Sequence, residues 1–312
     1  MLKIMPQAVS PRDGTWIDLC DPSEAECREV EQRFGVRVPT LAALSEIESS
    51  SRLRADSTLL SMSAPLLTRM EDDRLDTAPA GFLLNEHVLV TVRFAPLAVF
   101  DTVEQAVMAH PEDSPAGVLV RLLEAVVDRA ADQLEHVSEQ IAAISRTVFY
   151  GDLKRRGLSQ ETALLRHAII KLGRAYDRAS RVRYMFLSVG RMAAFVIERC
   201  QPDIGEELKR RLQSVQHDIV SLDEFEVSLS TRIQFLQDAA NSLISIEQND
   251  VVKVLTVASV VGIPPVLIVG IYGMNFKNMP ELDWHYGYPY ALGMCVVTTV
   301  IPYLLFKWRK WV

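Results

Sequence analysis

Apolar positions in this 312-residue chain follow three successive patterns. In residues 1–110, short apolar runs are broken by turn residues. Thr15 to Leu19 predicts a strand, followed by a helix from Ser23, where Ser23 and Glu26 have capping-box spacing. A second short helix is expected from Thr40 to about Glu48. Leu59–Leu67, Ala80–Leu84 and His87–Phe94 read as strands, the last two as a hairpin around Asn85-Glu86. Leu97 to Ala109 reads as a helix. Together these elements predict a small cytoplasmic α/β subdomain.

From Ser114 the period becomes helical. Ser114 is a good N-cap, with Pro115 at the first helical position. Leu119, Leu122, Leu123, Val126, Val127 and Ala130 open an apolar stripe that continues through Leu134, Val137, Ile141 and Ile144. Gly151 and Gly157 end that helix. A second is expected from Ser159 to Cys200, before Pro202. The third begins near Asp203, and its seam (Leu208, Leu212, Val215, Ile219, Leu222, Phe225, Leu229, Ile233, Leu236, Ala240, Leu243) runs directly into an apolar tract. One helix of about 60 residues, or about 90 Å, is the simplest reading. It serves as a stalk from the helical subdomain, residues 111–250, towards the membrane. Its seam either packs inside its own subunit or also assembles around a symmetry axis.

The last pattern is the absence of charge. Val254–Phe276 and Trp284–Phe306 contain no charged residue, and each is long enough to cross the roughly 30 Å hydrocarbon core of a bilayer. Residues 251–312 are therefore a transmembrane domain. A first span covers about 251–273, an outer loop about 274–286, a second span about 287–306, and a basic tail 307–312. The overall 49% apolar fraction hides this, because residues 251–312 carry net +3 and the remainder −10. An acidic soluble part of that size argues against nucleic-acid binding and suits cations. Lys307-Trp308-Arg309-Lys310-Trp311 is the pattern of a cytoplasmic end, which places both termini in the cytoplasm and the chain in the inner membrane as a multi-pass protein. No cleaved signal peptide is expected. Cys20, Cys27, Cys200 and Cys295 have no CxxC spacing and are read as packing thiols. No hydrolase, P-loop, zincin or dinucleotide signature is present, so no enzyme and no organic cofactor are expected. The six histidines are scattered without metal-ligand spacing.

Between the two uncharged tracts lies Tyr272-Gly273-Met274-Asn275-Phe276, then Met279-Pro280-Glu281-Leu282 and Gly287-Tyr288-Pro289, with Phe306-Lys307-Trp308-Arg309-Lys310-Trp311 at the end. These residues resemble the CorA family of divalent-cation channels. Asn249 to Asn275, with Lys253-Val254-Leu255-Thr256 and the tandem Pro264-Pro265, looks like that family's pore helix. The motifs cover about 60 C-terminal residues, and the order of domains upstream agrees.

The resemblance implies a funnel-shaped homopentamer that admits Mg²⁺ to the cytoplasm, often also Co²⁺ and Ni²⁺; gating by cytoplasmic Mg²⁺ is a further expectation, drawn from the acidic domain joined rigidly to the pore. Two spans alone enclose no path, so conduction itself requires an oligomer. Mg²⁺ loses water reluctantly and favours octahedral oxygen, so neutral acceptors that bond its water shell suit a filter. Gly273, Met274 and Asn275 are the implied filter. Asn249, Leu255, Ile263 and Gly270 match pore-lining positions, Glu281 the outer mouth, and Asp238 an inner acidic ring. Without the family, Asn249 would read as a surface or capping residue, Leu255 as a lipid or packing contact, and Asp238 as a solvated acid.

Two positions depart from the family pattern: Val266 where a Thr is common, and Lys277 where an acid is common. No residues are assigned to regulatory cation sites; Ser214 falls where some relatives place a sensing Asp. Glu206, Glu207, Asp218, Asp223, Glu224 and Glu226 read as a solvated acidic face. The alternatives are a transporter of Zn²⁺ or another transition metal on the same fold, whose members commonly replace Met274 with Ile, and a membrane-anchored scaffold that transports nothing.

Overall fold

The computed structural model describes residues 2–5, 15–46, 52–56, 59–69, 74–109, 114–150, 158–200, 204–275, 279, 284–309 and 311. The chain divides into two compact units. One comprises Met1–Gly151 with Ala168–Gln237, the other Asp152–His167 with Asp238–Val312.

The first unit contains a six-stranded sheet. Its strands are β1 (Leu2–Met5), β2 (Thr15–Cys20), β3 (Leu53–Ala55), β4 (Leu60–Arg69), β5 (Leu75–Leu84) and β6 (Val88–Arg93), in the order β1-β2-β6-β5-β4-β3. Only β2 and β6 run parallel. Alternation along β2 serves both faces. Ile17 and Leu19 join Val30 of α1 (Glu24–Phe34) and Leu44 of α2 (Leu41–Leu44) in one apolar layer. Trp16 turns the other way, with its ring 6.2 Å from that of Phe100 in α3 (Ala98–Ala109). Beside it, Asp18 and Arg93 form a buried ion pair.

The sequence reading holds for β2, for the α1 capping box at Ser23, and for the β5–β6 hairpin, where Asn85 Oδ1 accepts from the backbone N–H groups of His87 and Val88. Thr40 caps α2, whose described helical residues end at Leu44; part of the expected extension, 47–48, falls outside the described residues. Strands β1 and β3 are additions, and β5 starts five residues before its predicted start at Ala80.

Three long helices follow. They are α4 (Pro115–Tyr150), α5 (Leu158–Arg199) and α6 (Glu206–Tyr272). Ser114 caps α4, its hydroxyl accepting from the Gly117 N–H at 3.1 Å. The predicted α4 stripe is buried throughout. Gly151 and Gly157 lie outside the described residues. Helix α6 starts at Glu206 rather than near Asp203, because Gly205 precedes it at φ +84°, a left-handed conformation that glycine adopts without strain.

The seam of α6 needs two corrections. Phe225 is 40% exposed, whereas Glu226, read as solvated, is 1% exposed. Leu222, Glu226, Leu229 and Ile233 keep the spacing of four, three and four; Phe225 lies one residue, about 100°, away. Glu226 is tolerated because Ser230 Oγ donates to it at 2.7 Å and Arg183 Nη1 of α5 lies 3.4 Å away. Arg183 also pairs with Asp223 at 3.2 Å. Glu124 of α4 takes a two-point hydrogen bond from Arg211 at 2.8 and 2.6 Å.

The second unit contains the first turns of α5, the C-terminal part of α6, and α7 (Gly287–Trp308). Within it the Thr162 hydroxyl donates to the Glu247 carboxylate. Helix α6 spans 67 residues, about 100 Å, and its helical hydrogen bonding resumes beyond Pro264 and Pro265.

Candidate functional site

Helices α6 and α7 are the two that are long and apolar enough to cross a membrane among the described residues. Their apolar side chains stand in the open: Val254 is 69% exposed, Val266 72% and Val269 64%. So much apolar surface requires lipid or other protein against it.

Partial burial marks the side of α6 that meets α7. Val257, Val261, Pro264, Pro265, Ile268 and Tyr272 are half-buried at spacings of three and four. Cys295 of α7 brings its thiol to 3.9 Å from the Pro265 carbonyl oxygen. The opposite side is largely uncovered, with Thr256 and Ser259 half-buried on it, and the candidate residues lie there. Asn249, Ile263 and Gly270 are exposed and separated by multiples of seven, close to two turns each. Asp238 stands eleven residues before Asn249, three turns away on the same face, and is also exposed. Leu255, 65% exposed, lies about 80° from the middle of this line, at the edge of the open side.

Thr256 shares the spacing of seven between Asn249 and Ile263, and Ser259 is near it. Neither was singled out from sequence. The Thr256 hydroxyl donates to the Val252 carbonyl and Ser259 to that of Leu255, each at 2.8 Å. With their hydrogens committed inside the helix, both hydroxyls offer only lone pairs outward. A lone pair accepts from the water shell of a cation. The signal that would have found them is the seven-residue recurrence of Asn249, Thr256, Ile263 and Gly270.

The motif ends α6. The Gly273 N–H donates to the Val269 carbonyl at 2.9 Å, and that of Met274 to Ile271 at 3.2 Å. A Cβ on Gly273 would stand 3.0 Å from the Val269 oxygen, a backbone atom with little room to yield. Glycine thus suits this close approach, where a side chain would press on the carbonyl. At Gly270 an added Cβ would meet nothing within 4 Å. Met274 and Asn275 are exposed. Glu281 and Lys277 lie outside the described residues.

The α7 helix is bracketed by aromatic side chains. Trp284, Tyr286, Tyr288 and Tyr290 crowd its start, with Trp284 and Tyr290 rings 5.5 Å apart, and Trp308 and Trp311 flank its end. Tyr286 to Trp308 spans about 33 Å, the thickness of a bilayer core.

The chain matches the family described as CorA-like Mg²⁺ transporter protein over residues 12–308. It belongs to that family. The magnesium transport protein CorA of Wolinella succinogenes is 33% identical over 302 residues, covering 95% of this chain and 90% of that protein. The protein of the same name from Campylobacter jejuni is 30% identical, covering 96% and 92%. The complete structure of the CorA magnesium transporter from Methanocaldococcus jannaschii superposes with a TM-score of 0.76 at 16% identity, covering 98% of this chain and 94% of that one. The ZntB cytoplasmic domain from Vibrio parahaemolyticus gives 0.52 at 14% identity, covering 78% and 91%. The CorA fold, with a soluble α+β part, a very long helix and two C-terminal apolar helices, is therefore the fold of this chain, and divalent-cation transport is the activity of its family.

Among the described residues, no three His, Cys, Asp or Glu side chains converge on a site able to hold a metal ion. Partial burial raises the pKa of Asp128, reinforced by the negative charges of Glu124, Asp132 and Asp218. These acids form a strip of like charge with Arg211 on Glu124.

Proposed function

We propose that the chain is one subunit of a homopentameric channel that admits hydrated Mg²⁺ to the cytoplasm across the inner membrane, with both termini inside. The carrying observation is the single continuous α6, whose uncovered face holds Asn249, Ile263 and Gly270, with the half-buried Thr256 on the same line, and ends in the exposed Gly273-Met274-Asn275 turn. Gathered around an axis, that face gives a path of neutral oxygens interrupted by apolar levels at Leu255 and Ile263. Asn275 is the filter acceptor for bound water. Asp238 and Asn249 form polar rings nearer the cytoplasm, and Glu281 stands at the outer mouth. Neutral acceptors bind a hydrated cation weakly enough to release it. Cytoplasmic Mg²⁺ regulates opening through the acidic soluble part, which carries the −10 charge.

Growth of a strain lacking Mg²⁺ uptake tests the reading. The chain restores growth at low Mg²⁺, and Asn275→Ala, inserted and assembled, does not. Inserted wild-type protein that fails to restore growth would sink it. Uptake into liposomes with Co²⁺, Ni²⁺ or Zn²⁺ as competitor ranks the ions, and preference for Zn²⁺ over Mg²⁺ replaces the cargo.

A further inference from the structure

The contact between Cys295 and Pro265 fixes a common level for two lysines. Lys253 is twelve residues before Pro265 in α6, and Lys307 twelve after Cys295 in α7. Each is about 18 Å along its helix from that contact, in the same direction because the helices run oppositely. Lys253 is the last charge before one uncharged tract and Lys307 the first after the other. Both therefore mark one boundary of the apolar slab.

At that level the second unit contains a cleft of about 350 Å³, lined by Asn249, Asp250, Val252, Lys253, Thr256 and Trp311. Trp311 reaches it because its backbone N–H bonds the Phe306 carbonyl at 3.0 Å and its ring stacks on that of Phe306 at 5.5 Å. The indole remains 46% exposed. Lys253 Nζ lies 2.8 Å from Asp250, but both side chains are half-open, so the pair is weak and exchangeable. Lys253 and Asp250 balance within the lining, and Lys307 and Arg309 add positive charge at the end of α7.

We infer that this cleft binds the phosphate headgroup of an anionic phospholipid. The occupant follows from charge and depth together. Lys253 and the Trp311 indole line one cleft at the depth of lipid phosphates, where Lys and Trp pair naturally with anionic headgroups. Ile246 and Val252 give the cleft an apolar side. The site rests on the spans assigned to the channel, and it touches Asn249. Bound lipid would therefore set the position of the α6 turn that carries a cytoplasmic polar ring.

Native mass spectrometry of the full-length protein in mild detergent tests this with added phosphatidylglycerol or phosphatidylcholine. Phosphatidylglycerol is retained preferentially. Lys253→Gln and Trp311→Ala each weaken retention about fivefold, and Lys253→Arg restores it. Inorganic phosphate does not compete. Equal retention of the two lipids, or retention indifferent to Lys253→Gln, overturns the inference. Competition by free phosphate overturns it in favour of a soluble anion. Disulfide-linked dimers of a Lys253→Cys variant overturn it in favour of a neighbouring copy in the cleft. Mg²⁺ flux measured on the same preparations separates the two readings: lipid selectivity without flux rejects the channel alone, and flux without selectivity rejects the lipid site alone.

Discussion

Arg93 donates from Nε at 3.0 Å and from Nη2 at 2.8 Å to Oδ2 of Asp18, and neither residue is more than 5% exposed. The pair ties β6 to β2, the one parallel junction in the sheet. Thr91 Oγ1 donates to Asp18 Oδ1 at 2.8 Å and accepts from the Trp16 indole at 3.0 Å. Asp18→Ala leaves the Arg93 charge buried and alone. The soluble unit should lose about 3–5 kcal/mol, seen as early thermal unfolding and rapid proteolysis of the full-length protein. A thermal midpoint within a degree or so of wild type would show that water replaces the carboxylate.

Asp128 predicts a pH dependence with the opposite sign from an ordinary ion pair. Its carboxyl is held above the usual Asp value of 3.8 by partial burial and by Glu124, Asp132 and Asp218. Between the ordinary value and the raised one, the folded state binds more protons than the unfolded state, so stability falls as pH rises through that window. Asp128→Asn should raise the thermal midpoint at pH 7 and flatten the profile on the acid side. The effect is small because the side chain is largely exposed. An unchanged profile would assign the pH dependence to other carboxyls.

Gly273 and Gly270 should respond differently to the same added methyl. Gly273→Ala presses on the Val269 carbonyl, which must give by a few tenths of an ångström and so distorts the last turn of α6. Gly270→Ala meets open space within one chain. We expect Gly273→Ala to abolish Mg²⁺ flux. Gly270→Ala should leave folding and insertion intact and reduce flux only through crowding at the axis. Full flux through Gly270→Ala would move that position away from the path.

Asn275→Asp keeps the size of the proposed filter side chain and replaces a neutral acceptor with a charge. Tighter cation binding should lower the apparent Km for Mg²⁺ and slow maximal flux about tenfold or more. Faster maximal flux would mean that attraction at entry, not release, limits conduction.

Much of the fold is legible because its signals are local. Caps at Ser23 and Ser114, the Asn85 turn and the apolar stripe of α4 each lie within a few consecutive turns. The misses have physical causes. The N-terminal half of β5 contains Pro79, opposite Pro65 of β4. Those prolines would ordinarily argue against strands. Here β6 pairs with β5 only from Ala80, and β3 with β4 only as far as Met62, so neither proline faces a further strand. β1 and β3, four and three residues long, are too short to show a period. Glu226 broke the rule that carboxylates are solvated, because Arg183 comes from another helix. The motif at Gly273 was legible as contiguous residues. The open face behind it was not, because the uncharged tract has almost no polar contrast from which to read a period. Packing against α7 supplies that contrast.

Asn249, Thr256, Ile263 and Gly270 recur every seven residues, while two helical turns take about 7.2. Their line slips by about 20° at each step, about 60° in all. Straight parallel copies would turn only part of it towards a common axis. Copies that keep all of it inward must wrap around one another with a left-handed coil. Torque applied at the lower end then winds or unwinds that coil with every backbone hydrogen bond kept. In the channel proposed above, the side of α6 turned to the axis at Ile263 would rotate relative to that at Asn249, and twist would be a means of changing bore.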